Sequence, residues 1–284
     1  MSSSPRLRNC ESTPAPFERF EFHDMAGLDF EKLRDVVDGR CAGVIFRSVI
    51  AADTCRLVSD NFRRHPGRYV RGADAPATYV GVYHYAKDLE FYLTQALETN
   101  AQLDRLFEGT ENLWSSFTNW AADGFRGDGT KYRIAEFEGR HAARFVMRTW
   151  AGTGNYALLP HEDEAQCHDP RQTGFEIQQA AANPIVAVNI CLDNAADADL
   201  HYWNLIPDEA SRNGLGLTYT GSPYPQSMLN DLDMQEIKIG VGDIYCFNGK
   251  AIHAVGRPRD TSGTRSTISF LMARRDERTV IHWS

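Results

Sequence analysis

The chain has 284 residues, 42% hydrophobic and 24% charged, enough to bury a sizeable core without disulfide staples and too apolar for wholesale disorder. Thirty Lys and Arg against 38 Asp and Glu give a formal net charge of -8, an unfavourable field for a nucleic-acid partner, and none is expected. Six cysteines (Cys10, Cys41, Cys55, Cys167, Cys191, Cys246) stand far apart with no CxxC pair, which excludes a zinc ribbon or dithiol redox motif and points to reduced thiols.

In chain order, residues 1–18 are rich in Ser, Pro, Arg and Asn and read as a weakly ordered leader without the apolar block of a secretory signal. No run approaches the roughly 18 apolar residues needed to cross a bilayer, so a cytoplasmic location without a membrane partner is expected. Charged positions alternate with Leu, Val, Cys and Phe at helical spacing over 28–38 and again over 51–62. The stretch 88–120, interrupted near Gly109, carries Leu89, Leu93, Ala96, Leu103, Leu113 and Phe117 on recurring helical faces. Helical support over 28–120 follows, with two or three helices in its last part. Just before them, Tyr79, Tyr83, His84 and Tyr85 make an aromatic-rich stretch suited to framing a lid or packing on a sheet.

After about Tyr132 the pattern changes. Short apolar runs at 143–150, 154–160, 174–180, 184–192, 199–203, 235–240, 243–247 and 266–272 are separated by Gly, Pro, Asp and Asn. The expected fold is an all-β core with flanking helices, a double-stranded β-helix of the jelly-roll, cupin-like kind, with its core at about 143–272. Nothing marks a linker, so residues 19–284 read as one domain. The segment 204–232 is too long for a structureless turn and holds Pro207, Gly214, Gly216, Gly221, Pro223 and Pro225, so it reads as a lid or insertion near the mouth of a site.

The sharpest local signal is Leu159-Pro160-His161-Glu162-Asp163-Glu164 at the end of a predicted strand. Extended backbone puts His161 and Asp163 on one face and turns Glu162 away, so an imidazole and a carboxylate can reach one metal. His253 follows 92 residues after His161, just beyond the run Gly242-Asp243-Ile244-Tyr245-Cys246-Phe247. Two histidines and one carboxylate on one side of a metal leave positions open for an oxidant and a chelating cosubstrate, which favours iron(II) over zinc. An HxD tripeptide alone is common, and either histidine could be an ordinary hydrogen-bonded one.

A third element changes the balance. In Gly263-Thr264-Arg265-Ser266-Thr267-Ile268-Ser269-Phe270-Leu271, alternation sends Arg265, Thr267 and Ser269 to one face and Ile268 and Phe270 to the other. Arg, Thr and Ser sharing an interior face call for an anionic guest, with the Arg265 fork for a carboxylate and the Thr267 hydroxyl beside it.

HxD, a distant His after a GD-containing strand, and GxRxS/T together resemble the iron(II)/2-oxoglutarate-dependent oxygenases. The resemblance implies that His161, Asp163 and His253 ligate iron(II) and that Arg265 with Thr267 anchors the distal carboxylate of 2-oxoglutarate. It covers about 143–272. Chain length, ligand spacing and the insertion before the second His further resemble the free-standing N-acyl amino-acid hydroxylases and hapalindole-type halogenases. Halogenating members have a small residue where Asp163 stands, so the retained carboxylate implies hydroxylation of an aliphatic C–H of a small molecule, an amino acid or N-substituted amino acid. The implied reactants are that substrate, 2-oxoglutarate and dioxygen. The alternatives are a halogenase or desaturase acting on an alkaloid or nucleotide, a cupin-type metalloenzyme without 2-oxoglutarate, and a metal-independent binding jelly roll. Oligomeric state is open, a homodimer being one option.

On the substrate side, Arg171 and Arg212 are candidates to grip a carboxylate or amide oxygen, and two exposed arginines would look the same. Arg144 and Arg148, four apart in a core strand run, are further candidates to reach the cavity. Tyr156 and Asn189 lie on predicted core strands, where polar groups need partners; either is a candidate to touch the near end of 2-oxoglutarate, the alternative being structural hydrogen bonding. Trp150, Phe175 and Trp203 are candidate pocket walls.

Overall fold

The computed structural model describes residues 19–71, 77–151, 156–260 and 262–284, so the expected leader over 1–18 lies outside the described residues. The first part of the chain runs β1 (Arg19–Met25), α1 (Phe30–Val37), β2 (Cys41–Phe46), α2 (Ala52–Arg64), β3 (Tyr69–Val70), β4 (Ala77–Gly81), α3 (Leu89–Asn100) and α4 (Leu113–Gly127). Next come β5 (Lys131–Ile134), β6 (Glu136–Phe137), β7 (Arg140–His141), β8 (Val146–Ala151), β9 (Leu158–His161), α5 (Ile177–Ala180), β10 (Ile185–Asn194) and β11 (Leu200–Trp203). The chain then continues through α6 (Glu209–Leu215), β12 (Met234–Ile237), β13 (Ile244–Asn248), β14 (His253–Val255), β15 (Thr264–Asp276) and β16 (Thr279–Trp283).

The helices start where polar side chains can cap them. Asp29 accepts from the Lys32 amide ahead of α1, Asp88 from the Glu90 amide ahead of α3, and Asn112 from the Ser115 amide ahead of α4. Each cap satisfies an amide that has no partner inside the helix. One stripe of each helix is buried, as in α4, where Leu113, Phe117, Ala121 and Phe125 recur at helical spacing.

A large sheet runs β1-β2-β13-β10-β15-β8-β4-β3, with β16 beside β15 and β5 beside β16. The first half of the long β15 pairs with β8 and its second half with β16. A small sheet runs β12-β11-β14-β9. Alternation along the strands of the large sheet separates two faces. Outward, Val188 and Ile190 of β10, Ile268 and Phe270 of β15 and Cys246 of β13 join Val58, Phe117 and Phe125 of the helices in one apolar core. Inward, Ala187, Tyr245 and Phe247 meet Leu200, Tyr202 and Ile237 of the small sheet. Large and small sheets face one another as a jelly roll, with helices covering the back of the large one.

Two expectations are corrected. The run 174–180 is a turn followed by α5, not a strand, with Phe175, Ile177 and Ala180 buried against Tyr92 and Leu93 of α3. A short apolar run fits a buried helix as well as a strand, and packing decides. The region 28–120 is not only helical: β2 and β4 extend the large sheet, and Cys41–Phe46 is buried at every position. The segment 204–232 carries α6 and a small core of its own, in which Leu217, Tyr224 and Leu229 pack on Trp203 and Ile252.

Candidate active site

β9 and β14 are antiparallel neighbours, and their register sets His161 directly opposite His253. The two rings lie with centroids 4.1 Å apart. Asp163 follows His161 by two residues, its amide donating to the Gly249 carbonyl at 2.8 Å. Ligand atoms of His161, Asp163 and His253 all fall within 4.8 Å of one another, the arrangement that can hold a metal ion. His253 Nε2 stands 3.6 Å from Asp163 Oδ2.

The hydrogen bonds fix which atoms face inward. His161 Nδ1 lies 2.7 Å from the Leu159 carbonyl and His253 Nδ1 2.9 Å from the Ala251 carbonyl. A carbonyl only accepts, so each Nδ1 carries the proton and each Nε2 keeps its lone pair for a metal. Asp163 Oδ1 accepts from Gln166 Nε2 at 3.0 Å, which leaves Oδ2 for the centre. Burial pushes His161 down to about 3, with His253 adding to the shift, and takes His253 down to about 4, so both rings are neutral near pH 7. Burial raises the Asp163 carboxyl, outweighing His161, Arg148 and the Gln166 hydrogen bond, which pull it down. Gly249 makes the arrangement sterically feasible, because a Cβ there would collide with Asp163 Oδ2.

The triad opens on a cavity of about 270 Å³. At the large-sheet side, Tyr245, Asn189 and Ser269 form one cross-strand row of the wall. Ser269 Oγ donates to Asn189 Oδ1 at 2.6 Å and pairs with Thr267 Oγ1 at 3.1 Å. Arg265 is fully buried behind this row, donating to Tyr245 Oη at 2.9 Å and to the Ala198 carbonyl. Both partners are neutral, and Arg265 Nε has no partner among the described residues. A buried guanidinium held only by neutral groups calls for an anion. The donor set thus fits both a divalent cation and a carboxylate-bearing cosubstrate.

Arg148 of β8 also lines the cavity, opposite Thr267 on one side and Tyr79 on the other, whereas Arg144 turns away to pair with Asp104 at 2.9 Å. Trp150 joins the lining; Trp203 packs in the core of the insertion and Phe175 beside α3. From the 204–232 segment, Thr220, Ser222 and Pro223 reach the wall. They are held there by the Glu162 amide donating to the Gly221 carbonyl and the Tyr224 amide to the Pro160 carbonyl.

Five sequence candidates are not on the cavity lining: Arg265 and Thr267, which stand next to its Tyr245–Asn189–Ser269 row, and Arg171, Arg212 and Tyr156, which are held by other partners. Arg171 is half exposed and paired with Asp169 at 2.5 Å. Arg212 is buried elsewhere, donating to Glu164 Oε2 and to the Pro207 carbonyl, both at 3.1 Å. Burial alone would raise Glu164, but His168, Lys250 and Arg212 outweigh it and hold that carboxyl at about 2. Tyr156 donates to Gln226 at 2.7 Å on the outside. The charges and hydroxyl of these last three are satisfied by local partners, which frees none of them for a ligand. Tyr245 and Gln166 were not singled out from the sequence. The alternation Tyr245/Phe247 carries the signal for the first.

The match to a family model settles the kinship: the model for the carrier-protein-independent halogenase WelO5 covers residues 22–284. The chain belongs to the WelO5 family. Beside that family match stands the L-isoleucine 3(1)-dioxygenase of Pantoea ananatis (strain AJ13355), 28% identical over 248 residues, 84% of this chain and 82% of that protein. The crystal structure of an N-substituted L-amino acid dioxygenase from Burkholderia ambifaria AMMD superposes with a TM-score of 0.60 at 12% identity, covering 90% of this chain and 91% of that one. Its complex with alpha-KG gives 0.56 at 13% identity over the same shares. These structures establish a shared fold for this WelO5-family member.

Proposed function

We propose that this chain is an iron(II)/2-oxoglutarate-dependent dioxygenase that hydroxylates an aliphatic C–H of an amino acid or N-substituted amino acid. The carrying observation is the Nε2-presenting histidine pair with Asp163, together with a fully buried Arg265 whose only hydrogen-bond partners among the described residues are neutral. His161, Asp163 and His253 would hold the iron; Arg265, with Tyr245, Asn189 and the Thr267–Ser269 pair, would hold 2-oxoglutarate. When bound, this pair with dioxygen supplies the C–H oxidation, one oxygen atom entering the product and the other the succinate left after loss of carbon dioxide. The protein's part is to seat the substrate and keep water out, a role for which the apolar Trp150, Leu158 and Val255 of the wall are suited. The leucine-sized substrates implied by the L-isoleucine dioxygenase relative are consistent with a cavity of about 270 Å³. The described chain is read as a single oxygenase domain acting with small molecules.

Halogenation is the second reading, favoured by the family match. Asp163 weighs against it, because its carboxylate fills the position that a halide would need. The test is turnover of L-isoleucine and an N-acylated L-isoleucine with iron(II), 2-oxoglutarate and chloride. Succinate formed together with a product heavier by one oxygen supports hydroxylation; a chlorinated product overturns it in favour of halogenation.

A further inference from the structure

Towards β4, the same side of the cavity as the proposed 2-oxoglutarate row continues into polar groups that the proposed iron and cosubstrate do not use. His84 follows β4, lines the cavity and is only 1% exposed. Its Nδ1 lies 3.1 Å from Gln172 Oε1. The Gln172 amide is itself fixed, because Nε2 donates to the His84 carbonyl at 2.7 Å and to the Lys87 carbonyl at 3.0 Å. Oε1 must therefore face the ring, Nδ1 must be the donor, and Nε2 is left as an unprotonated acceptor. Among the described residues His84 Nε2 has no hydrogen-bond partner. Burial keeps the ring neutral, holding it at about 4. A fully buried glutamine spent on fixing a tautomer, with the free nitrogen left unmet in a cavity wall, is a site awaiting an N–H or O–H donor.

Arg148 supplies the complementary group. It stacks on Trp150, 4.7 Å from the ring centroid, and its buried Nε has no partner among the described residues. It sits one strand nearer to β4 than Thr267, on the Tyr79 side of the cavity, and Tyr79 Oη is likewise buried without a partner. An acceptor for N–H and a cation for carboxylate on one wall match the main-chain end of an amino acid, which carries one of each.

Resting on the oxygenase reading above, we propose that His84 and Arg148 are the substrate-positioning pair of this site: His84 Nε2 accepts from the amino nitrogen and Arg148 binds the α-carboxylate, leaving the side chain to point at the metal. Gln172 is a positioning residue that acts through His84. A carboxylate on Arg148 could also belong to 2-oxoglutarate, and the experiment separates the two sources.

The holoprotein is assembled anaerobically with iron(II), and 2-oxoglutarate is titrated by its visible charge-transfer band, followed by L-isoleucine or an N-acylated L-isoleucine. His84→Phe is expected to weaken amino-acid binding about tenfold and Arg148→Met about a hundredfold, with 2-oxoglutarate affinity held within about twofold in each. Gln172→Met is expected to fall between wild type and His84→Phe. Because a substituted His84 could perturb folding, histidine nitrogen NMR of the unmutated protein with zinc(II) and 2-oxoglutarate is the second measurement: the His84 Nε2 resonance starts as unprotonated and shifts when L-isoleucine is added. A loss of 2-oxoglutarate affinity in Arg148→Met, with amino-acid affinity unchanged, overturns the assignment. So does a His84 resonance indifferent to both amino acids, or failure of both to bind the unmutated protein. Absence of the charge-transfer band in wild type is the different result that would bring down the oxygenase reading itself.

Discussion

The outer and inner faces of the large sheet are built from the same strands and differ in what they leave unpaired. Outward, Val188, Ile190, Ile268 and Phe270 interlock with the helices, and burial is their whole contribution. Inward, the residues between them in sequence are Asn189, Thr267, Ser269 and Arg265, buried polar groups that would each be costly without partners. Two of the inner arginines, Arg148 and Arg265, each keep an Nε without a hydrogen-bond partner among the described residues. A fold that puts one strand's even positions to packing and its odd positions to unfinished hydrogen bonding has given up stability on the inside for the sake of a ligand.

The sharpest way to break that contrast is at the triad. His161→Ala, Asp163→Ala or His253→Ala is expected to abolish turnover and stoichiometric iron binding while the far-ultraviolet circular dichroism stays native, since none of the three supports the outer core; retained turnover in Asp163→Ala would sink the ligand assignment. Next in size, Ile268→Ala on the outer face should cost about 2–5 kcal/mol of unfolding free energy in denaturant titrations, yet leave the affinity for 2-oxoglutarate unchanged. Arg265→Met should do the reverse. It should raise the ligand-free melting temperature or leave it level, because an unpaired buried charge is removed, while the stabilisation normally produced by added 2-oxoglutarate disappears.

Smaller effects sharpen the picture. Gly249→Ala should weaken metal binding by about 10–100-fold, the range for disturbing groups that orient ligands, because the new methyl group displaces the Asp163 carboxylate; equilibrium dialysis against iron(II) or zinc(II) reads this. Acid should act on both faces. His84 on the inside is held at about 4 and His282 among the aromatics of the outside at about 3, burial being the main cause for each. Their folded values lie below the ordinary 6.5. Between 6.5 and those values the unfolded chain binds protons that the folded one refuses, so stability is full above about pH 6.5 and drains away as pH falls towards 4 and 3. Denaturant midpoints across that window should decline steadily, and His282→Leu should flatten the lower part of the curve; a stability that rises on acidification would contradict the neutral buried imidazoles.

Much of the inner face was legible in the sequence because strand alternation is a local rule. It put His161 with Asp163, and Arg265 with Thr267 and Ser269, and the structure keeps both groupings. Which distant strand meets which was legible only in part: the spacing allowed His253 to join His161, but their register as direct neighbours belongs to the small sheet. β2 was missed because a strand buried on both faces has no alternation to read. Arg171 and Arg212 illustrate another limit, since an arginine's role is decided by its nearest carboxylate. Asp169 lies two residues from Arg171, but Glu164 is 48 away from Arg212. His84 is the clearest case. Its function as an acceptor depends on Gln172, 88 residues along the chain, and no local pattern announces that pairing.

The central claim is that the inner face is completed by iron(II) and 2-oxoglutarate together. Anaerobic titration of 2-oxoglutarate into the iron(II)-loaded protein, with Arg265→Ala beside it, tests this most directly. The account predicts a visible charge-transfer band in the unmutated protein and a requirement for about a hundredfold more 2-oxoglutarate in the variant, the loss expected when a buried carboxylate loses its cation. Bound iron without a band, or a band that forms equally well in Arg265→Ala, would contradict it.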